Sequence, residues 1–323
     1  MDILLDIVHS VDYGVLAYIS EHWRGGLSDT VWKVFSLMGS YGAVWITLAV
    51  LLLFFRRTRR AGAAMLIALG VGFLLGNVFL KNLVMRPRPF VTHTDLTALL
   101  VPEDPWSFPS GHTQNAVGTF GAIGLLAKRR WVNIACLALV LLVPFSRMYL
   151  GVHTPLDVGV AFLMAAILLA AFYPVFRSAG KIEKTMPYLL AAGIALAIVF
   201  VFYVSGIRAD FAPGSEDASN FAHAVKNAWT LLGAIAGLLT VFLVDRKTLR
   251  FETRAPLLGQ ILKFVLGLVL VAGMKAALKP LFYAVLPSGP ADCLRYYLVV
   301  LLAGIVWPRT FGFWARLGKK KGV

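Results

Sequence analysis

Residues 131–176 read WVNIACLALVLLVPFSRMYLGVHTPLDVGVAFLMAAILLAAFYPVF. Two apolar runs, 131–150 and 154–176, are each close to the roughly 20 residues that a helix needs to cross a bilayer. Only a short Leu-Gly-Val connection leads to His153, so the end of the first helix and the start of the second share one membrane face. Ser146, Arg147, His153 and Asp157 collect at that face. The stretch therefore sets an architecture of adjacent membrane helices and the level at which polar chemistry sits.

Composition extends this reading to the whole chain. Of 323 residues, 59% are hydrophobic, and the mean hydropathy is +0.77, too apolar for a domain whose surface must be hydrated. The sequence predicts an all-α polytopic membrane bundle of about nine transmembrane helices, near 31–55, 60–84, 112–128, 131–150, 154–176, 186–206, 224–244, 257–286 and 290–312. Residues 1–23 differ. Ile3, Leu4, Ile7, Val8, Val11, Val15, Leu16 and Ile19 recur at helical spacing while Asp2, Asp6, His9, Asp12 and Glu21 interrupt them, the pattern of an N-terminal amphipathic helix in the interface. A cleavable signal peptide would have a basic start and a clean apolar run.

The net charge of +15 would suggest nucleic acid as the partner of a soluble protein. Here it follows topology, and no nucleic-acid partner is expected. Arg56, Arg57, Arg59 and Arg60, then Lys128, Arg129 and Arg130, then Arg177, Lys181 and Lys184, then Arg246, Lys247, Arg250 and Arg254 fill every second loop, and Lys319, Lys320 and Lys321 end the chain. Under the positive-inside rule these loops and the C-terminus are cytoplasmic, and the intervening loops are outside. Most tryptophans, such as Trp131 and Trp307, fall near span ends, where aromatic belts form. Cys136 and Cys293 lack metal-ligand spacing and are expected at different depths, which argues against a disulfide.

Three stretches meet on the outer face. Lys81–Pro89 (KNLVMRPRP) ends the second span, and Pro87 and Pro89 keep Arg86 and Arg88 out of helix. Pro109–His112 (PSGH) opens the third span, with Ser110 at the N-cap position and Gly111 in a small turn whose amides and helix dipole suit a phosphate oxygen. His112 has a reference pKa of about 6.5 and can hold or release a proton near neutrality. His153 and Asp157 are four residues apart, so on a helix starting near Thr154 they share one face. Asp157 can then accept from one imidazole nitrogen while the other attacks. Lys81, Arg88 and Arg147 supply the positive charge that a phosphate dianion requires. Singly, each motif could be a helix cap, a snorkelling cation or a buried pair.

Lys81-x6-Arg88-Pro89, Pro109-Ser110-Gly111-His112 and Ser146-Arg147-x5-His153-x3-Asp157 together resemble the type 2 phosphatidic acid phosphatase superfamily over residues 1–177. The resemblance implies that His153 is the nucleophile of a phosphohistidine intermediate, oriented by Asp157. It also implies that His112 protonates the leaving oxygen and then helps to activate water. Lys81, Arg88, Ser110, Gly111 and Arg147 would hold the phosphate oxygens, with no metal and no cofactor. The expected activity is hydrolysis of a lipid phosphate monoester or diphosphate such as phosphatidic acid, phosphatidylglycerol phosphate or a polyprenyl diphosphate, with membrane lipids as the other partners. A phosphotransferase using the same site, or a lipid or phosphate transporter or flippase, is the competing expectation. Soluble relatives that share the motifs, the vanadate-dependent haloperoxidases among them, are excluded by hydropathy.

Residues 178–323 are expected to form an additional four-helix membrane region. Lys275, Lys279-Pro280 and Pro287-Ser288-Gly289-Pro290 echo the first half, with proline where PSGH has histidine, as a degenerate repeat would. Glu103, Asp104 and Trp106 could gate the site, and Asp210, Glu216, Asp217 and His223 form an acidic loop.

Overall fold

A computed structural model describes residues 2–40, 59–100, 106–206, 216–249 and 255–317. The second half of the first expected span, Glu103 and Asp104 of the loop before PSGH, and Asp210 of the acidic loop lie outside these residues. Among the described residues the structure is helical, without strands. Among the described residues, six helices are long and apolar enough to cross a membrane: Arg130–Tyr149, Pro155–Phe176, Gly180–Gly206, Phe221–Leu249, Leu257–Tyr283 and Ser288–Trp314.

The chain divides into two compact units, Met1–Ile182 and Glu183–Val323. The first contains α1 (Asp2–His22), α2 (Gly26–Ser40), α3 (Arg59–Gly72), α4 (Lys81–Val84), α5 (Pro89–Thr92), α6 (Gly111–Leu126), α7 (Arg130–Tyr149) and α8 (Pro155–Phe176). Its centre is α6, which packs on α2, α3, α7 and α8. Sequence explains that position: Ala116, Gly118, Thr119, Gly121, Ala122 and Gly124 present almost no side-chain bulk, so neighbouring backbones come close. A Cβ on Gly121 would stand 2.5 Å from Leu169 Cδ1, and one on Gly124 3.2 Å from Cys136 Cβ.

Between α3 and α4 the helix widens to π geometry over Phe73–Leu80. Gly76 sits in this segment, where a Cβ would come within 2.2 Å of Gln114 Oε1. Such π segments recur where a helix must present a functional residue, and this one delivers Lys81. The helix then stops at Met85, whose φ of 48° is left-handed. That turn redirects the chain into the extended Arg86–Arg88 segment, after which Pro89 opens α5.

α1 is helical, and its register corrects one reading of the sequence. Asp12, read as a polar interruption, is buried on the same face as Leu16 and Ile19. Its carboxylate accepts from Arg86 Nη2 at 2.7 Å and from the Leu156 backbone N–H at 2.9 Å. Asp12 thus satisfies one of the amides that the first turn of α8 cannot satisfy for itself. Val11, Val15 and Tyr18 are exposed on α1.

The second unit contains most of α9 (Ala179–Gly206), followed by α10 (Glu216–Val244), α11 (Leu257–Tyr283) and α12 (Ser288–Leu301). α10 packs closely on α12, because Gly233 and Gly237 form a small-xxx-small face. A Cβ on Gly233 would lie 2.0 Å from the Cys293 carbonyl oxygen.

Asp12→Ala removes a carboxylate that is 3% exposed and already paired. Arg86, its partner, is 22% exposed and keeps Asp157, so losing this charged hydrogen bond costs about 2 kcal/mol. The purified protein in detergent should therefore melt several degrees lower, with a smaller loss in Asp12→Asn, which keeps one acceptor. An unchanged melting temperature for Asp12→Ala would contradict this role.

Candidate active site

All three motif stretches come together in the first unit. Thr154 is the N-cap of α8, and a capping box closes around it. Its hydroxyl accepts from Asp157 N–H at 3.3 Å, and Asp157 Oδ2 accepts from Thr154 N–H at 2.9 Å. Asp157 Oδ1 accepts from Arg86 Nη1 at 3.0 Å, and the same nitrogen donates to Thr154 Oγ1 at 2.9 Å. The Asp157 carbonyl accepts from Ser110 N–H at 3.1 Å. One residue thus fastens the Arg86 segment, the PSGH turn and α8 to each other.

His153 lies directly before that cap and is 1% exposed. Arg88 Nη1 donates to its Nε2 at 2.9 Å and to the Val152 carbonyl at 2.8 Å. The Ser107 backbone also hydrogen-bonds the imidazole. Asp157 Oδ2 faces Nδ1 at 3.6 Å, beyond hydrogen-bonding distance. The direct bond expected from the His-x3-Asp spacing is not made here: the capping box and Arg86 hold the Asp157 carboxylate at that distance from the ring. Burial first, then the charges of Arg88, Arg147 and Lys81, hold the His153 pKa well below its ordinary 6.5. The ring is therefore a neutral imidazole with a lone pair available at physiological pH.

Three cations surround it, and all are buried: Lys81, Arg88 and Arg147 are 4%, 4% and 3% exposed. Charges so deeply buried need anionic partners. Arg147 Nη1 donates to Ser36 Oγ, and its Nε has no hydrogen-bond partner among the described residues. An orphaned guanidinium N–H is what a phosphate oxygen would satisfy. Ser110 Oγ accepts from Thr113 N–H at 3.4 Å and from Thr113 Oγ1 at 3.0 Å, which leaves its own proton to donate outward. The amides of Gly111 and His112 open α6 and have no intrahelical acceptor.

His112 makes a contact that sequence reasoning missed. Its Nε2 lies 3.0 Å from Ser40 Oγ, and the Ser40 hydroxyl donates to the Ser36 carbonyl. Since that proton is committed, Nε2 is the donor, and Nδ1 is left to exchange a proton. Ser36, Ser40, Asp12 and Arg86 carried no motif signal, because their partners are 68 to 144 residues away or belong to helices that no spacing rule joins to the site. A cavity of about 200 Å³ lies beside Arg86 and Thr154, lined also by Asp12, Tyr13 and His93 but not by His153. Trp106 lies just before Ser107, and the side chains of Glu216 and Asp217 are outside the described residues.

A buried imidazole, three buried cations and a Ser-capped helix start whose first amides remain open come together in a helical membrane protein, an arrangement that suits an anion. Residues 60–181 match the PAP2 superfamily, and residues 229–320 match the transmembrane extension of PAP2 superfamily phosphatases. The chain is 36% identical to an undecaprenyl-diphosphatase of Sulfolobus acidocaldarius, over 48% of this chain and 74% of that protein. It is 35% identical to phosphatidylglycerophosphatase B of Bacillus subtilis, over 36% of this chain and 58% of that protein. It is 26% identical to mouse sphingosine-1-phosphate phosphatase 1, over 62% and 48%. No solved structure matches. The chain belongs to the PAP2 superfamily.

Ser40→Ala should lower kcat about tenfold with KM little changed, since it frees the proton-exchanging ring rather than the phosphate site. Ser40→Thr, which keeps the hydroxyl, should recover most of the rate. A rise in KM alone would contradict the assignment of Ser40 as a positioning residue.

Proposed function

We propose that the chain is an integral membrane lipid phosphatase that hydrolyses a lipid phosphate monoester or diphosphate through a phosphohistidine on His153. The observation that carries this reading is the buried, neutral His153 set among Arg88, Arg147 and Lys81. The names of its relatives, an undecaprenyl-diphosphatase and a phosphatidylglycerophosphatase among them, point to lipid-linked phosphate as the substrate class.

In this mechanism an incoming phosphate dianion takes over the bond that Arg88 makes to Nε2, and Arg88 turns its guanidinium to a phosphate oxygen. Arg147 Nε, Lys81, the Ser110 hydroxyl and the Gly111 amide hold the remaining oxygens. The Nε2 lone pair attacks phosphorus, the bond to the leaving lipid oxygen breaks, and His112, doubly protonated once the bound phosphate offsets the neighbouring cations, gives that oxygen its Nδ1 proton. Water then attacks the phosphohistidine, His112 takes the proton from water, the P–N bond breaks, and phosphate leaves. Asp157 supports this as a fixed negative charge beside Nδ1, which favours the cationic phosphohistidine over the neutral ring. The charge on the phosphate is met by side chains, so the chemistry needs no metal.

The wider architecture belongs to the same proposal. It comprises residues 1–177 as the catalytic core, residues 178–323 as an added membrane region, nine spans and an interfacial α1. The charge alternation of the loops supports an active site on the non-cytoplasmic side and a cytoplasmic C-terminus.

Purified protein in EDTA should release phosphate from a panel of phosphatidic acid, phosphatidylglycerol phosphate and polyprenyl diphosphate. His153→Ala should abolish the activity, and His112→Ala and Arg147→Ala should each lower kcat/KM at least 100-fold. Because protonation of His153 is suppressed, any fall in kcat/KM between pH 7 and 5 should match the second ionisation of the substrate phosphate, titrated separately, with no further group near 6.5. In sealed vesicles with the cytoplasmic face inside, a water-soluble phosphate ester added outside should be hydrolysed without detergent. Full activity in His153→Ala, loss of activity on chelation, or hydrolysis only after permeabilisation would each overturn the corresponding part of the reading.

A further inference from the structure

The turn between α11 and α12 gathers charge that hydrolysis does not use. Asp292 and Arg295 are 1% and 4% exposed, an unusual depth for two charged residues. Arg295 Nη2 donates to Asp292 Oδ1, and the Tyr283 hydroxyl donates to Asp292 Oδ2 at 2.9 Å. Both carboxylate oxygens are thus engaged, and their charge is matched by Arg295. Two further cations stand over the same rings. Lys275 Nζ lies 5.5 Å from the centroid of Tyr296, and Lys279 Nζ 5.8 Å from that of Tyr283. The Arg295 guanidinium is itself 5.1 Å from Tyr296 and 5.8 Å from Tyr283.

Among the described residues, the balance of this group is three cations against one carboxylate. Lys275 and Lys279 lean on ring faces, which attract a cation but do not neutralise it. Arg295 Nε is buried and has no hydrogen-bond partner among the described residues. A buried donor in that condition is costly unless something accepts from it. Asp292 and Arg295 lie within the first two turns of α12, and Lys279 and Lys275 lie one and two turns before the end of α11.

We propose that Lys275, Lys279 and Arg295, framed by Tyr283 and Tyr296, form a second anion site that binds a phosphate-bearing group without hydrolysing it. Arg295 and the two lysines bind phosphate oxygens, and Asp292 orients Arg295. None of these described residues is a histidine that could act as a nucleophile. Its occupant shares the chemistry of a phosphate monoester, whether carried by a membrane lipid or free in solution. The inference is independent of the reaction at His153.

The test uses the full chain carrying His153→Ala, so that no probe is consumed, together with Arg147→Gln, so that the site at His153 holds phosphate weakly. Lipid retention is read by native mass spectrometry and equilibrium binding in detergent, with three probes: short-chain phosphatidic acid, glycerol 3-phosphate and phosphatidylcholine. Adding Lys275→Gln with Lys279→Gln alters two exposed side chains and should weaken phosphatidic acid binding on the order of ten- to thirtyfold, at about 1 kcal/mol per lysine near a headgroup. Lys181→Gln with Lys184→Gln removes the same charge elsewhere and should leave binding unchanged. An equal effect on glycerol 3-phosphate identifies a site for soluble phosphate esters, and an effect on phosphatidic acid alone identifies a lipid site. Unchanged binding of both phosphate probes, equal loss in the Lys181/Lys184 variant, or an equal effect on phosphatidylcholine would overturn the proposal.

Discussion

The carboxylate of Asp157 is the constraint on which the active-site arrangement depends. Buried in the first turn of α8, it accepts from Thr154 N–H and Arg86 Nη1, while its backbone carbonyl receives Ser110 N–H. Three segments far apart in sequence are therefore positioned by one residue. Arg86 carries the linkage onward to Asp12 of α1, and Asp12 caps α8 in return. The result is a closed polar circuit in an otherwise apolar bundle. Buried networks of this kind hold a single geometry when every member is satisfied and are costly when one is removed.

Around that circuit the electrostatic balance is deliberately incomplete. Lys81, Arg88 and Arg147 are buried close to His153, and the nearest carboxylate is already committed to Arg86 and the α8 cap. Burial first, and then this positive charge, keep His153 neutral. In the proposed reaction the phosphate dianion meets an imidazole that is already neutral. The widened π segment before Lys81 and the left-handed Met85 serve the same end by turning a membrane helix into an extended strap that carries Arg86 and Arg88 past the imidazole.

Much of this was legible in the chain because the signals were local. Ser110 and Thr154 read as helix starts from two or three neighbours, and the His153-x3-Asp157 spacing placed both side chains on one face. The spacing overstated the directness of that pair: the capping box pulls Asp157 toward its own backbone and leaves 3.6 Å to Nδ1. Asp12 looked like a break in an amphipathic pattern, since nothing within α1 reveals that its partner is Arg86. Ser36 and Ser40 carried no signal for the same reason. The Gly233/Gly237 face was overlooked because in an apolar stretch glycine reads as hydropathy, whereas its consequence is how near another backbone can come.

The central claim is that phosphorus becomes bonded to His153. Brief incubation with a substrate labelled with radioactive phosphate at the transferred group, followed by denaturing quench, measures this directly. The account predicts label on the protein that survives alkali, is lost in acid, maps to a peptide containing His153 and is absent from His153→Ala. Turnover with no trappable label at any quench time, or label retained in His153→Ala, would contradict it.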